Sequence, residues 1–241
     1  MLISFIFGLL IGSFINVLIY RLPRGESFIL PPSHCPACQQ RLKMWDLIPV
    51  LSFLWLEGKC RYCGVSISWR YPLVELLTGL LTVLWWVQFG QSIESVTILV
   101  LTYAIIVIAF IDFDHQIIPN IITLPLIVLG VASRAFQGEI VEGLIGCLVG
   151  GGILLLIVLL YPKGMGMGDV KFLAMVGVFV GWYQVIWILF IGSIIGSLVM
   201  IPLLLFKKID RKTPFAFGPF LVFATLLIIY GKDWLGVLNI F

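Results

Sequence analysis

Eight apolar runs, parted by short polar breaks, constrain this chain more than any other feature. They cover residues 1–20, 71–89, 96–111, 117–131, 143–161, 170–182, 185–206 and 215–230. A helix needs roughly 20 mostly apolar residues to cross a bilayer. Lipid offers the backbone no hydrogen bonds, so a spanning segment must satisfy its own N–H and C=O groups as a helix. The chain is 61% hydrophobic and 11% charged over 241 residues. Soluble domains hold about 45–50% apolar and about 25% charged residues, so the apolar surface here exceeds what a water-facing fold can hide. The expected fold is an all-α polytopic membrane protein with about eight transmembrane helices. The run at 170–182 is short, and seven is the alternative count.

Charge sets the expected orientation. The first run lacks a basic leader, and its positive charges, Arg21 and Arg24, follow it, unlike a cleaved signal peptide. Alternating helices from an outside amino terminus put thirteen basic residues inside: Arg21, Arg24, Arg41, Lys43, Lys59, Arg61, Arg70, Lys163, Lys171, Lys207, Lys208, Arg211 and Lys212. Only Arg134 and Lys232 fall outside. That asymmetry predicts an N-out, C-out topology. The net charge of +3 then reflects topology, and the partner it implies is membrane lipid, with no nucleic acid.

Three parts follow: a first transmembrane helix (1–20), a small cytoplasmic module (21–70) and a transmembrane bundle (71–241). The module carries Pro23, Pro31, Pro32, Pro36 and Pro49 as breakers. About 50 residues is too few for a comfortable hydrophobic core, so the module needs a staple. Cys35-Pro-Ala-Cys38 and Cys60-Arg-Tyr-Cys63, separated by 21 residues, read as a four-thiolate structural zinc site. The alternative, two disulfides, needs an oxidising compartment, which the basic character of this loop argues against. His34 is an alternative ligand. Cys147 lies mid-span and reads as a small core residue. Gly8/Gly12, Gly146/Gly150 and Gly192/Gly196 place small residues on single helix faces, a helix-packing signal.

Two acids stand at the ends of apolar runs. Asp112 closes 96–111, and Asp169 ends Gly166-Met-Gly-Asp169 just before 170–182. Carboxylates at membrane boundaries are costly and mark function. Two in one low-dielectric site share a proton, the ionised one serving as base on a water and the protonated one as acid. Asp114 is two residues from Asp112, nearly opposite on a helix, and Asp112 abuts the apolar run. Against this, Asp112 and Asp114 read equally as interfacial residues, and Asp169 as the N-cap of a helix starting at Val170. Asp210 and Asp233 have no comparable setting.

These residues resemble the type IV prepilin peptidases, intramembrane aspartyl proteases with a G-x-G-D motif. Gly166-Met-Gly-Asp169 matches that motif, and Ile111-Asp-Phe-Asp-His-Gln-Ile-Ile-Pro119 resembles the first-aspartate segment, whose first Asp is the catalytic one. The stretch from Gly12 to Pro23, Cys35–Cys38, Asp46–Ser52, Gly58–Cys63 and Arg70–Glu75 follow in the family's order. The motifs reach from 12 to about 175, and the ordered set is specific where a lone G-x-G-D is not. The resemblance implies Asp112 and Asp169 as the catalytic pair and zinc on Cys35, Cys38, Cys60 and Cys63. It implies a bacterial inner-membrane enzyme that removes a short basic leader after a glycine, at the cytoplasmic face, from prepilin or pseudopilin precursors. It also implies methylation of the new amino terminus, commonly phenylalanine, from S-adenosylmethionine. Such precursors build pili, secretion pseudopili and DNA-uptake filaments. Asn120 stands where many relatives have Asp.

No Gly-rich nucleotide loop after a strand accompanies the methyltransferase expectation. Asn16, Arg21, Glu57 and Glu75 are polar groups near the cytoplasmic face that can line a methyl-donor pocket or serve structure, Asn16 by bonding across helices and Glu75 by pairing with a basic loop residue. Two other classes stay open on residues alone: a proton-coupled carrier, since intramembrane acids also mark transport, and a membrane assembly scaffold built on the cysteine module.

Overall fold

The computed structural model describes residues 1–90, 92–161, 165–206 and 215–231. Lys163, Lys207, Lys208, Asp210, Arg211, Lys212, Lys232 and Asp233 lie outside the described residues. The chain divides into two compact units, Met1–Ser95 and Val96–Phe241.

The helices are α1 (Leu2–Arg21), α2 (Leu51–Trp55), α3 (Arg70–Phe89), α4 (Ile93–His115), α5 (Asn120–Phe136), α6 (Ile140–Leu160), α7 (Met167–Val180), α8 (Trp182–Leu205) and α9 (Gly218–Tyr230). Each of the eight apolar runs overlaps one of these helices, although residues 117–119 and 215–217 precede α5 and α9, and the run at 170–182 ends past α7 on Trp182, the first residue of α8. No strand forms among the described residues, where β-pairing is limited to two isolated bridges. Among the described residues five helices are long and apolar enough to cross a membrane: Leu2–Arg24, Arg70–Phe89, Glu94–His115, Ile140–Leu160 and Trp182–Leu205. Two more, Asn120–Phe136 and Gly218–Tyr230, are apolar but shorter. Outward-facing leucines such as Leu148, 73% exposed, and Leu198, 68% exposed, present an apolar exterior to lipid.

In the first unit α1 packs along α3 through glycine. A Cβ on Gly12 would lie 2.7 Å from the Cα of Glu75, and one on Gly8 would collide with Thr82. The backbones are closer there than any side chain permits. Between these helices the chain folds into 3₁₀ turns at Leu22–Arg24 and Met44–Leu47, helix α2 and two cysteine knuckles. Arg21, buried at the end of α1, donates to the carbonyls of Ser27 (2.9 Å) and Pro31 (2.8 Å), tying the loop to the helix end.

In the second unit α7 is the central helix, buried along nearly its whole length. That explains how a 14-residue helix serves: it faces protein more than lipid, and its neighbours α5, α6, α8 and α9 enclose it. Gly146 and Gly150 bring α6 against α7, where a Cβ would overlap the Gly177 carbonyl or lie 2.5 Å from that of Leu173. Gly192 and Gly196 face α9 at Leu221 and Phe220. All three glycine pairs are packing devices. Gly181, at φ +89°, ends α7 and starts α8, a left-handed turn that glycine adopts without a Cβ clash. Arg134 is buried and donates to the Val178 and Phe179 carbonyls at the end of α7 while pairing with Glu139. It caps a helix C-terminus, where cations satisfy orphan carbonyls, a role the charge count leaves out.

Candidate active site

Asp112 lies on the last turn of α4 and Asp169 on the first turn of α7, both within the second unit. They are 5% and 8% exposed, and close enough for the Asp112 charge to act on Asp169. Asp114, by contrast, is exposed. Helix geometry decides between them: two residues turn the side chain about 200°, from the bundle interior to its outside. Residues 116–119 then lead into α5. Gln116, at φ +55°, donates its N–H to the Asp112 carbonyl (2.8 Å), closing α4, and Pro119 is the N-cap of α5.

The helix carrying Asp169 begins earlier than expected. Its N-cap is Gly166, not Asp169, because the glycine-rich stretch already enters the first turn. Asp169 is therefore the third helical residue, and its carboxylate takes a backbone hydrogen bond from Gly166. Gly168 has its own reason for being small: a Cβ there would sit 3.1 Å from Ile118 of the loop that follows Asp112. The loop after one acid thus rests on the turn carrying the other. Lys171, one turn along, donates to Asn120 Oδ1 (2.9 Å). The amide at position 120 supplies the acceptor that an aspartate would.

A third element reaches the pair. The backbone N–H of Gly218, first residue of α9, donates to Asp112 Oδ2 at 3.0 Å. A helix amino terminus stabilises a carboxylate through its orphan N–H groups and its dipole. Gly218 leaves no room for a side chain unless Asp112 moves, since its Cβ would lie 2.6 Å from that oxygen. Sequence reasoning missed it. The available signal was Gly218-Pro219 opening an apolar run, a helix-start pattern that says nothing about what the helix points at.

In the first unit the Sγ atoms of Cys35, Cys38, Cys60 and Cys63 all lie within 4.8 Å of one another. None is in a disulfide. Tetrahedral zinc with bonds of about 2.3 Å needs sulfurs about 3.8 Å apart, and Cys35 Sγ lies 3.9 Å from Cys63 Sγ. Both knuckles are built alike. Cys35 N–H donates to Gln40 O and Gln39 N–H returns to Cys35 O, while Cys60 N–H donates to Val65 O and Gly64 N–H returns to Cys60 O. Gln39 and Gly64 both take positive φ, 57° and 71°. His34 stays out of the cluster, its ring turned to the Pro32 carbonyl (3.1 Å).

Burial works against the Cys35 thiolate, yet the backbone N–H groups of Cys38 and Ala37 bring that thiol down to about 7. Although the Val65 N–H favours its thiolate, Cys63 is pushed up to about 12 by desolvation and by the neighbouring sulfurs. Crowding four sulfurs ionises one at another's expense. A divalent cation resolves the conflict by taking all four as thiolates. The second knuckle is braced from outside: Arg61 Nε donates to Asp46 Oδ1 at 2.7 Å, and Asp46 Oδ2 accepts the Lys43 N–H at 3.0 Å.

Of the polar residues weighed for a methyl-donor pocket, Asn16 and Glu75 are buried and Glu57 lies on the outer turn after α2 at φ +52°. Asn16 bonds across helices, donating to the Tyr71 carbonyl at 3.1 Å. Glu75 pairs with no basic loop residue among the described residues; it accepts the Val50 backbone N–H at 2.7 Å.

Two family models match the chain, the bacterial peptidase A24 N-terminal domain over residues 6–89 and the type IV leader peptidase family over 99–201. A prepilin leader peptidase/N-methyltransferase of Stutzerimonas stutzeri is 36% identical over 92% of this chain and 88% of its own length. One of Neisseria gonorrhoeae is 34% identical over 95% and 89%, and one of Myxococcus xanthus 40% identical over 83% and 62%. No solved structure matches.

Proposed function

This chain belongs to the type IV leader peptidase family, and on that premise we propose that Asp112 and Asp169 are its catalytic pair. The protein is a membrane endopeptidase that cleaves prepilin leaders and N-methylates the product. The observation that carries the residue assignment is the convergence of two buried carboxylates, from the end of α4 and the start of α7, near enough for their charges to interact. Asp112, held by the Gly218 N–H, serves as the ionised partner and takes a proton from water. Asp169 serves as the protonated partner and gives its proton to the scissile carbonyl oxygen as the water oxygen bonds to the carbonyl carbon. Asp112 then gives its proton to the leaving amine as the C–N bond breaks, while Asp169 takes a proton back from one hydroxyl of the tetrahedral gem-diol, so the carboxyl product forms and both acids return to their starting states. No metal enters this cycle.

The charge asymmetry of the loops supports eight crossings of the bacterial inner membrane, with an outside amino terminus and both acids at the cytoplasmic face. The cleaved bond follows a glycine after a short basic leader in prepilin and pseudopilin precursors. Zinc on Cys35, Cys38, Cys60 and Cys63 is structural, since four thiolates leave no open position for water. S-adenosylmethionine is the methyl donor. The carrier and scaffold readings have no counterpart among the relatives, whose names are enzymatic.

The test is Asp112→Asn and Asp169→Asn, each in membranes with a prepilin-type substrate, followed by mass spectrometry. Each variant should insert normally and lose at least about 10³-fold in cleavage rate, as loss of an acid–base partner requires. Cleavage within tenfold of wild type by either variant would remove that residue from the pair.

A further inference from the structure

The first unit holds a cavity of about 330 Å³ beside the cysteine knuckles, within the size range of small-molecule sites. Three buried polar side chains on facing helices line it: Asn16 (3% exposed) and Arg21 (5% exposed) of α1, and Glu75 of α3 (7% exposed). Gly12, one turn before Asn16, lets α1 approach α3 at Glu75 itself.

The Asn16 amide has a determined orientation. Its nitrogen donates to the Gly12 carbonyl (3.3 Å) and the Tyr71 carbonyl (3.1 Å), two acceptors that only the NH₂ end can serve. Its Oδ1 is therefore the free end: buried, with no hydrogen-bond partner. A buried acceptor without a donor is destabilising unless a ligand supplies one. Glu75 is a buried carboxylate whose hydrogen bonds come from the Val50 N–H and the Ser13 hydroxyl, both neutral donors, and no ion pair of Glu75 appears among the described residues. A buried charge without a counter-charge is likewise costly. Arg61 and Asp46 on its wall are paired with each other, and the Arg21 guanidinium on its wall is taken up by the Ser27 and Pro31 carbonyls. What the cavity offers a ligand is therefore the Glu75 carboxylate and the unfilled Asn16 acceptor, with aromatic walls from Tyr20, Phe53 and Tyr71. Its ligand should carry a positive charge, an N–H donor and a flat or apolar body.

We propose that this cavity is the methyl-donor site, with Glu75 balancing the positive sulfur of S-adenosylmethionine and Asn16 Oδ1 accepting an amine N–H. The assignment rests on the reading that the chain N-methylates its product. In the transfer the neutral amino nitrogen bonds to the methyl carbon, the carbon–sulfur bond breaks with its electron pair staying on sulfur, and the positive charge passes to nitrogen. Glu75 faces a cation before and after, so it favours the charged donor over its neutral thioether product. Cys35 and Cys60 also line the cavity, which makes the knuckles one of its walls.

The experiment compares S-adenosylmethionine with S-adenosylhomocysteine, which lacks the methyl group and the charge, by equilibrium dialysis on the purified full chain. Glu75→Gln keeps an oxygen for the Val50 N–H and removes only the charge. It should weaken S-adenosylmethionine binding by at least about tenfold, or about 1.4 kcal/mol, and leave S-adenosylhomocysteine within twofold, which also reports an intact fold. Photocrosslinking of labelled donor to wild type should mark peptides of residues 1–95. Unchanged discrimination in Glu75→Gln, equal loss of both ligands, or label confined to residues 96–231 would each overturn the assignment. Wild-type protein that neither binds the donor nor methylates a cleaved product would refute the methylation reading itself.

Discussion

Replacing Gly218 by alanine tests the placement of Asp112 directly. The new Cβ would start 2.6 Å from Asp112 Oδ2 and 3.0 Å from its Cγ, inside any tolerated contact. The carboxylate is the free end of a side chain, so it yields before the α9 backbone does. Moving out to an ordinary separation of about 3.4 Å shifts it by roughly 0.8 Å and breaks the 3.0 Å bond from the Gly218 N–H. A hydrogen bond to a charged group contributes about 1.5–3 kcal/mol, which corresponds to roughly 10- to 150-fold in rate. Misplacement near 1 Å alone can cost about 10²-fold. The expected result for Gly218→Ala is a 10- to 100-fold fall in kcat for leader cleavage, with KM within about threefold, since the lost interaction belongs to the chemical step. The assay is cleavage of a purified prepilin-type substrate in detergent, quantified by mass spectrometry over a range of substrate concentrations. Gly192→Ala is the control, because its Cβ meets only the flexible Leu221 Cδ2 at 3.1 Å and other α9 atoms farther off. It perturbs α9 from its α8 side without reaching Asp112. Wild-type kcat in Gly218→Ala, or equal losses in the two variants, would refute the argument that α9 acts by positioning the carboxylate.

The purified protein should carry one zinc per chain by metal analysis, and chelation should open residues 22–69 to protease; a metal-free preparation with unchanged protease resistance would sink the zinc site. Burial opposes the Asp46 charge, but the Arg61 hydrogen bond outweighs it and holds the carboxyl below its usual range. A depressed folded pKa means this contribution is complete above about pH 4. It is lost as the pH falls through the folded value, so Asp46→Asn should flatten the acid-side decline in protease resistance of the knuckles. Arg134→Ala should lower stability by about 2–4 kcal/mol, because it orphans the buried Val178 and Phe179 carbonyls. A thermal melt in detergent checks this, with Arg134→Lys expected to recover only part of the loss.

Much of the architecture was legible without coordinates because lipid leaves the backbone so few options. A run of apolar residues near 20 long can only be a helix there, and the runs fall largely on helices, five of them long and apolar enough to cross a membrane among the described residues. The cysteines were legible for a similar reason: two C-x-x-C turns have few uses in a short polar segment, and the four sulfurs do converge. Asp112 could be preferred to Asp114 because the helical period makes positions two apart exclusive.

What local pattern could not carry was which ends meet. The Gly218 N–H on Asp112, more than 100 residues away in sequence, exists only because α9 begins where α4 finishes. The burial that makes a 14-residue α7 stable comes from α5, α6, α8 and α9 around it, not from its own length. The Arg134 cap looked like a loop charge because its acceptors, Val178 and Phe179, lie 44 and 45 residues on. The cavity at Asn16 and Glu75 joins α1 to α3 across the whole knuckle segment. Sequence alone determined the solvent, the helices and the chemistry of the side chains, since each follows from composition and period. Tertiary structure decided which of those side chains share a site, since the contacts that exclude water and aim a donor at a carboxylate are made between residues the chain keeps far apart.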